Sequence, residues 1–80
     1  MIYWITFDAD TKQFGYSTDE HVPRVNDNYN TLFYPTEELA AKYAKELNDN
    51  HYSASYEEDL NTWSIIYGKD CTFVKLDFMR

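Results

Sequence analysis

Pro35-Thr36-Glu37-Glu38-Leu39-Ala40-Ala41-Lys42-Tyr43-Ala44-Lys45-Glu46-Leu47-Asn48 is the stretch that decides the fold. Leu39, Ala40, Tyr43, Ala44 and Leu47 recur at helical spacing and form one apolar stripe. Lys42, Lys45 and Glu46 fall on or near the opposite face. Thr36 is a good N-cap, because its hydroxyl can accept a backbone N–H that the first turn leaves unsatisfied. Glu37 and Glu38 place carboxylates at the positive end of the helix dipole. Asn48-Asp49-Asn50 ends the helix.

On the N-terminal side, Ile2-Tyr3-Trp4-Ile5-Thr6-Phe7 is β-branched and aromatic and reads as a strand. Asp8 to Lys12 has turn chemistry, and Gln13-Phe14-Gly15-Tyr16-Ser17 returns as the second strand of a hairpin. Residues 18–30 are polar and form the longest expected loop. Thr31-Leu32-Phe33-Tyr34 is either a short third strand or the lead-in to the helix. On the C-terminal side, residues 51–61 are ambiguous. Ser55 to Leu60 suits a short helical turn capped by Ser55, or an acidic loop. Residues 62–67 alternate through Trp63, Ile65 and Tyr67, and residues 72–78 through Val74, Leu76 and Phe78. With Gly68-Lys69-Asp70 between them, they make the clearest hairpin signal in the chain. The expected fold is α+β: a small antiparallel sheet of about four strands, order β-β-(β)-α-β-β, with one helix on one face.

A helix of about 13 residues is about 20 Å long. It can cover one face of a small sheet, but not both. The first strand is nevertheless apolar on both faces, with Ile2 and Trp4 on one and Tyr3, Ile5 and Phe7 on the other. Some of these rings must lie under a loop, remain uncovered, or meet a partner. The loop of residues 18–30 is the natural internal cover.

Composition narrows the function classes. The 80 residues carry eight Tyr, five Phe and two Trp, and 14 Asp/Glu against seven Lys/Arg, for a net charge of -7. Such a length makes one domain with a small core. The charge favours basic partners and opposes direct contact with nucleic acid. The chain has a single cysteine, Cys71, so no internal disulfide forms, which suits a reducing compartment. No apolar run approaches a bilayer span, and the first ten residues lack a signal-peptide pattern. The expected setting is cytoplasmic, with no membrane partner.

Several chemistries do not fit this sequence. Asp8-x-Asp10-x-Lys12 starts like a calcium-binding loop, but Lys12 and Gln13 stand where an oxygen ligand and a glycine are needed. His21, His51 and Cys71 lack the short spacing of a zinc module. No glycine-rich phosphate loop and no nucleophile elbow occur. No metal, cofactor or enzymatic role is expected. Cys71 reads as a small apolar filler.

The acidic residues fall in groups. Asp8 and Asp10 mark one hairpin tip, Asp19, Glu20 and Asp27 follow the long loop, and Glu57, Glu58 and Asp59 form a second cluster. They suit a solvated surface that maintains solubility. Sharing one face, they would imitate a row of phosphates.

The run from Leu32 through the capped helix to Asn48, with short aromatic strands on either side, resembles small acidic proteins encoded by bacteriophages. These include anti-CRISPR and anti-restriction inhibitors. The resemblance implies a non-enzymatic inhibitor that occupies the nucleic-acid site or an assembly surface of a host defence protein. It transfers no site residue. From the residues themselves, Asp8, Asp10, Glu57, Glu58 and Asp59 are the candidates for charge, and Tyr56 and Tyr3 for aromatic anchoring. The alternative is a homodimer that buries an aromatic sheet face or an unpaired edge strand.

Overall fold

The helix forms where its stripe and cap require it. In the computed structural model, which describes residues 1–27 and 30–66, α1 spans Glu37–Asp49. Thr36 is extended, and its Oγ1 accepts the Leu39 N–H at 3.3 Å. Ala40, Tyr43, Ala44 and Leu47 are buried. The C-terminus closes as a Schellman motif: Tyr52 N–H donates to the Leu47 carbonyl at 3.1 Å and His51 N–H to that of Asn48 at 3.2 Å. His51 takes the left-handed conformation this requires, with φ 58°.

The chain is α+β, with its strands divided between two sheets. The first contains β1 (Tyr3–Asp8), β2 (Gln13–Ser17) and β5 (Phe33–Tyr34), in the order β2-β1-β5 and antiparallel throughout. The second contains β3 (Val25–Asp27), β4 (Asn30–Thr31), β6 (Ser53–Glu57) and β7 (Thr62–Ile66), in the order β4-β3-β7-β6. Its central pair, β3 and β7, is parallel, so this sheet is mixed.

Helix α1 lies on the first sheet. Register places Tyr3 opposite Tyr34, Ile5 opposite Tyr16, and Phe7 opposite Phe14. Paired residues share a face, so this is the side that meets the helix. Tyr34 and Tyr43 stack with centroids 4.6 Å apart. Burial pushes the Tyr34 phenol well above the usual tyrosine pKa, and Tyr43, Glu46 and Asp27 add to the shift. The second sheet closes the core with Val25, Trp63, Ile65 and Ala54.

Leu32 joins the two sheets. Its side chain is 2 % exposed. Its N–H donates to the Val25 carbonyl at 3.0 Å, and its carbonyl accepts the Ile5 N–H at 2.9 Å. One residue therefore bonds β3 of one sheet and β1 of the other.

The far face of β1 is covered only in part. The Arg24 guanidinium sits 4.3 Å from the Trp4 ring centroid, and Trp4 is buried. Ile2 and Phe33 beside it remain about half exposed, at 54 % and 48 %. The long loop thus shelters one ring rather than the whole face.

The structure corrects three expectations. Residues 51–61 hold neither a capped helical turn nor a plain acidic loop. Ser53–Glu57 is a strand paired along its length with Thr62–Ile66. A helix of one turn has no stability of its own, whereas Ala54 opposite Ile65 and Tyr56 opposite Trp63 gain cross-strand packing. Residues 18–30 are not all loop, because Val25 is fully buried in β3. One antiparallel sheet becomes two, because Leu32 turns the chain from one to the other. Of the hairpin expected at 62–67 and 72–78, the first run appears as β7. Its turn and second run lie outside the described residues.

Leu32→Ala should cost about 2–5 kcal/mol in urea unfolding, since it removes a buried core side chain at the junction of the two sheets. A loss below about 1 kcal/mol would contradict that placement. The Tyr34 phenol predicts alkaline sensitivity. The unfolded chain releases this proton near pH 10 while the folded chain holds it to higher pH, so stability present below pH 10 falls as pH rises above it. Melting temperatures of Tyr34→Phe should decline less steeply above pH 10 than those of the parent. Parallel slopes would rule the mechanism out.

Candidate functional site

The end of the β6–β7 hairpin brings four of the candidate residues together. Tyr56 and Glu57 close β6, and Glu58 and Asp59 enter the turn. Leu60 N–H donates to the Glu57 carbonyl at 3.2 Å and Asn61 N–H to that of Glu58 at 3.3 Å, so the turn is tight. Asn61 closes it with φ 50°. Asparagine tolerates that left-handed conformation better than most residues.

Tyr56 is held on two sides. Its ring lies 5.2 Å from that of Trp63, and its hydroxyl donates to Asn61 Oδ1. It is still 41 % exposed. Glu57, Glu58 and Asp59 are all exposed. Among the described residues the ion pair is Lys45 with Asp49, a solvated i,i+4 pair on α1 at 3.1 Å. The three turn carboxylates therefore stand without a cation from that part of the chain. Leu60, 62 % exposed, adds an apolar group beside them.

Asp8 and Asp10 occupy a different turn. Asp8 Oδ1 accepts N–H bonds from Asp10 at 2.9 Å and Thr11 at 3.4 Å. Lys12 N–H donates to the Asp8 carbonyl at 2.8 Å. Asp8 thus helps build its own turn, while the Asp10 carboxylate is exposed. The two hairpins communicate through rings. Phe14 lies 4.8 Å from Phe7, Phe7 lies 5.5 Å from Trp63, and Trp63 meets Tyr56. Phe7 immediately precedes Asp8 and Tyr56 immediately precedes Glu57.

Tyr3 is placed differently from an anchoring role. It is half-buried on the helix side of β1, packed against the core, with its ring 6.2 Å from Tyr16. Tyr16 in turn donates to Glu37 Oε1 at 3.1 Å, which holds its phenol above the ordinary value. Asp19 and Asp27 are likewise engaged locally, Asp19 accepting the His21 N–H at 2.9 Å and Asp27 lying half-buried in β3.

A cleft of about 540 Å³ opens beside the turn, lined by Glu20, His21, Pro23, Asn26, Leu60 and Asn61 among others. Asn26 Oδ1 is buried without a hydrogen-bond partner among the described residues. No cluster of three metal-ligating side chains occurs among the described residues, and no described helix is long and apolar enough to cross a membrane. Cys71 lies outside them.

Sequence reasoning missed Asn61, Leu60 and the cleft. The available signal was the alternation Ala54-x-Tyr56 followed four residues later by Leu60-Asn61, a small-to-aromatic strand leading to a residue suited to positive φ. Comparisons with protein-family models, with curated proteins and with solved structures return no match for this chain.

The Asn61 geometry separates two effects. Asn61→Gly keeps the backbone unstrained and loses only the Tyr56 contact, whereas Asn61→Ala also strains the left-handed residue. In urea unfolding the alanine variant should be less stable than the glycine variant by about 1 kcal/mol. Equal stabilities would mean that φ is not constrained there.

Proposed function

We propose that this chain is a non-enzymatic protein-binding inhibitor that docks the end of its β6–β7 hairpin on a basic, nucleic-acid-handling protein. It would thereby occupy that protein's nucleic-acid site or an assembly surface. The observation that carries the reading is Tyr56, a half-exposed ring fixed by Trp63 and Asn61 next to three exposed carboxylates. A ring already held in place loses little freedom on binding and contributes large contact area. The carboxylates draw a cationic surface inward and set its orientation. The net charge of -7 acts in the same direction and opposes binding to nucleic acid itself. The likeness in layout to phage-encoded inhibitors supports a host defence protein as the target. Asp10 extends the charged surface, whereas Tyr3 contributes through packing.

The test compares the parent with the triple variant Glu57→Gln, Glu58→Gln, Asp59→Asn, each immobilised in nuclease-treated bacterial lysate. Circular dichroism and melting should show the variant folded, since all three side chains are exposed. The parent should retain nucleic-acid-binding proteins at low salt, identified by mass spectrometry. Added salt should release them, and the variant should retain about tenfold less or lower. Equal retention by both proteins, or retention unchanged across a broad salt range, would overturn the reading.

A further inference from the structure

Each sheet has two edges, and the chain treats them unequally. β4 and β5 are two residues long, too short to template another strand. β2 is longer, but Asn48 of α1 clamps its outer edge. Asn48 Oδ1 accepts the Phe14 N–H at 2.7 Å and its Nδ2 donates to the Phe14 carbonyl at 3.1 Å. One side-chain amide thus imitates a neighbouring strand. Among the described residues β6 has no such cover. It is five residues long, pairs with β7 along its whole length on one side, and has no strand on the other among the described residues.

The usual protections against strand addition are also missing from β6. Ser53-Ala54-Ser55-Tyr56-Glu57 contains no proline and no lysine. Its register with β7 runs without a bulge from Ser53 opposite Ile66 to Glu57 opposite Thr62. In an antiparallel ladder alternate residues turn both N–H and C=O outward. This edge therefore offers a row of backbone donors and acceptors, ending at the acidic turn.

We propose that β6 is a docking edge for an extended, basic segment of a partner protein, which adds to the second sheet beside it. The proposal rests on the reading of the Tyr56–Asp59 end as the partner contact and names how the partner is gripped. Charge decides the occupant. Glu57, Glu58 and Asp59 at one end of the edge call for Lys or Arg on the incoming strand. A second copy of this chain brings a further charge of -7, and its own β6 carries no cation. The face set by Ala54 and Tyr56, beside Ile65 and Trp63, is apolar, and the face set by Ser53 and Ser55 is polar. The fitting segment therefore alternates apolar and polar residues. Antiparallel addition places its basic residues at its N-terminal end, opposite Glu57.

The test uses the whole chain and an acetylated peptide, Lys-Lys-Val-Thr-Val-Thr-Val, with two further forms N-methylated at alternate residues in opposite phases. Amide chemical shifts and hydrogen exchange are followed at low salt. The parent peptide should shift and protect amides within residues 53–57. One N-methylated phase, which blocks the groups facing β6, should bind about tenfold more weakly or worse, and the other nearly as well as the parent peptide. If both phases bind like the parent peptide, or shifts are confined to residues 58–61, the edge proposal fails while the charged-turn reading stands. Absence of parent-peptide binding also overturns the edge. Sedimentation showing a dimer whose β6 amides are protected before peptide is added would give the edge to a second copy and overturn the partner assignment. Loss of lysate retention in the charge variant bears only on the turn.

Discussion

Leu32 is the constraint on which the architecture depends. A backbone residue has one donor and one acceptor, and both must be satisfied when it is buried. Leu32 gives its donor to β3 and its acceptor to β1. The chain therefore changes sheets at a single residue, with β4 and β5, each two residues long, on either side. Val25 and Ile5, the residues it bonds, are fully buried. The same junction positions Arg24. Its carbonyl accepts the Trp63 N–H at 2.9 Å and the Thr62 hydroxyl, while its guanidinium covers Trp4. The start of β7, and with it the close of the acidic turn, is thereby fixed to the core.

Aromatic content serves two purposes in this small protein. Tyr34, Tyr43, Phe7 and Phe14 are buried and supply the area that a short aliphatic inventory cannot. Trp63 lies between purposes: one neighbour is Phe7 of the core and the other is Tyr56 at the surface. Tyr56 is consequently held by two contacts without being hidden. A ring so held and still exposed suits the anchoring role proposed for it, and it lies at the turn where three carboxylates follow in sequence.

The treatment of sheet edges fits the same picture. An open edge is an association hazard, and the molecule closes β2 with the Asn48 amide at the cost of one helix-terminal side chain. β6 is arranged differently: among the described residues its outer edge has no strand beside it, and the neighbouring turn carboxylates have no cation. In the proposed docking, acidic residues would repel further copies of an acidic chain and admit a basic segment, so charge would filter what reaches the exposed backbone.

Elements whose signals are local can be read from the chain alone. Helix α1 was legible from Thr36 to Asn50, because capping, dipole complementarity and a 3.6-residue stripe all reside within consecutive residues. The β1–β2 hairpin was legible for the same reason, as was the mismatch between one helix and a strand apolar on both faces. The remaining elements depend on pairings between distant residues. Ser53–Glu57 carries weak strand signals and becomes β6 because Trp63 and Ile65 lie across from Tyr56 and Ala54. Val25 becomes a strand residue through a parallel pairing with Trp63, 38 positions away. Which carboxylates share a turn with a fixed aromatic ring, and which merely close their own loop as Asp8 does, followed from those pairings. Such contacts join residues distant in the chain, and their free energy comes from burial and ladder bonds that no short window of sequence contains.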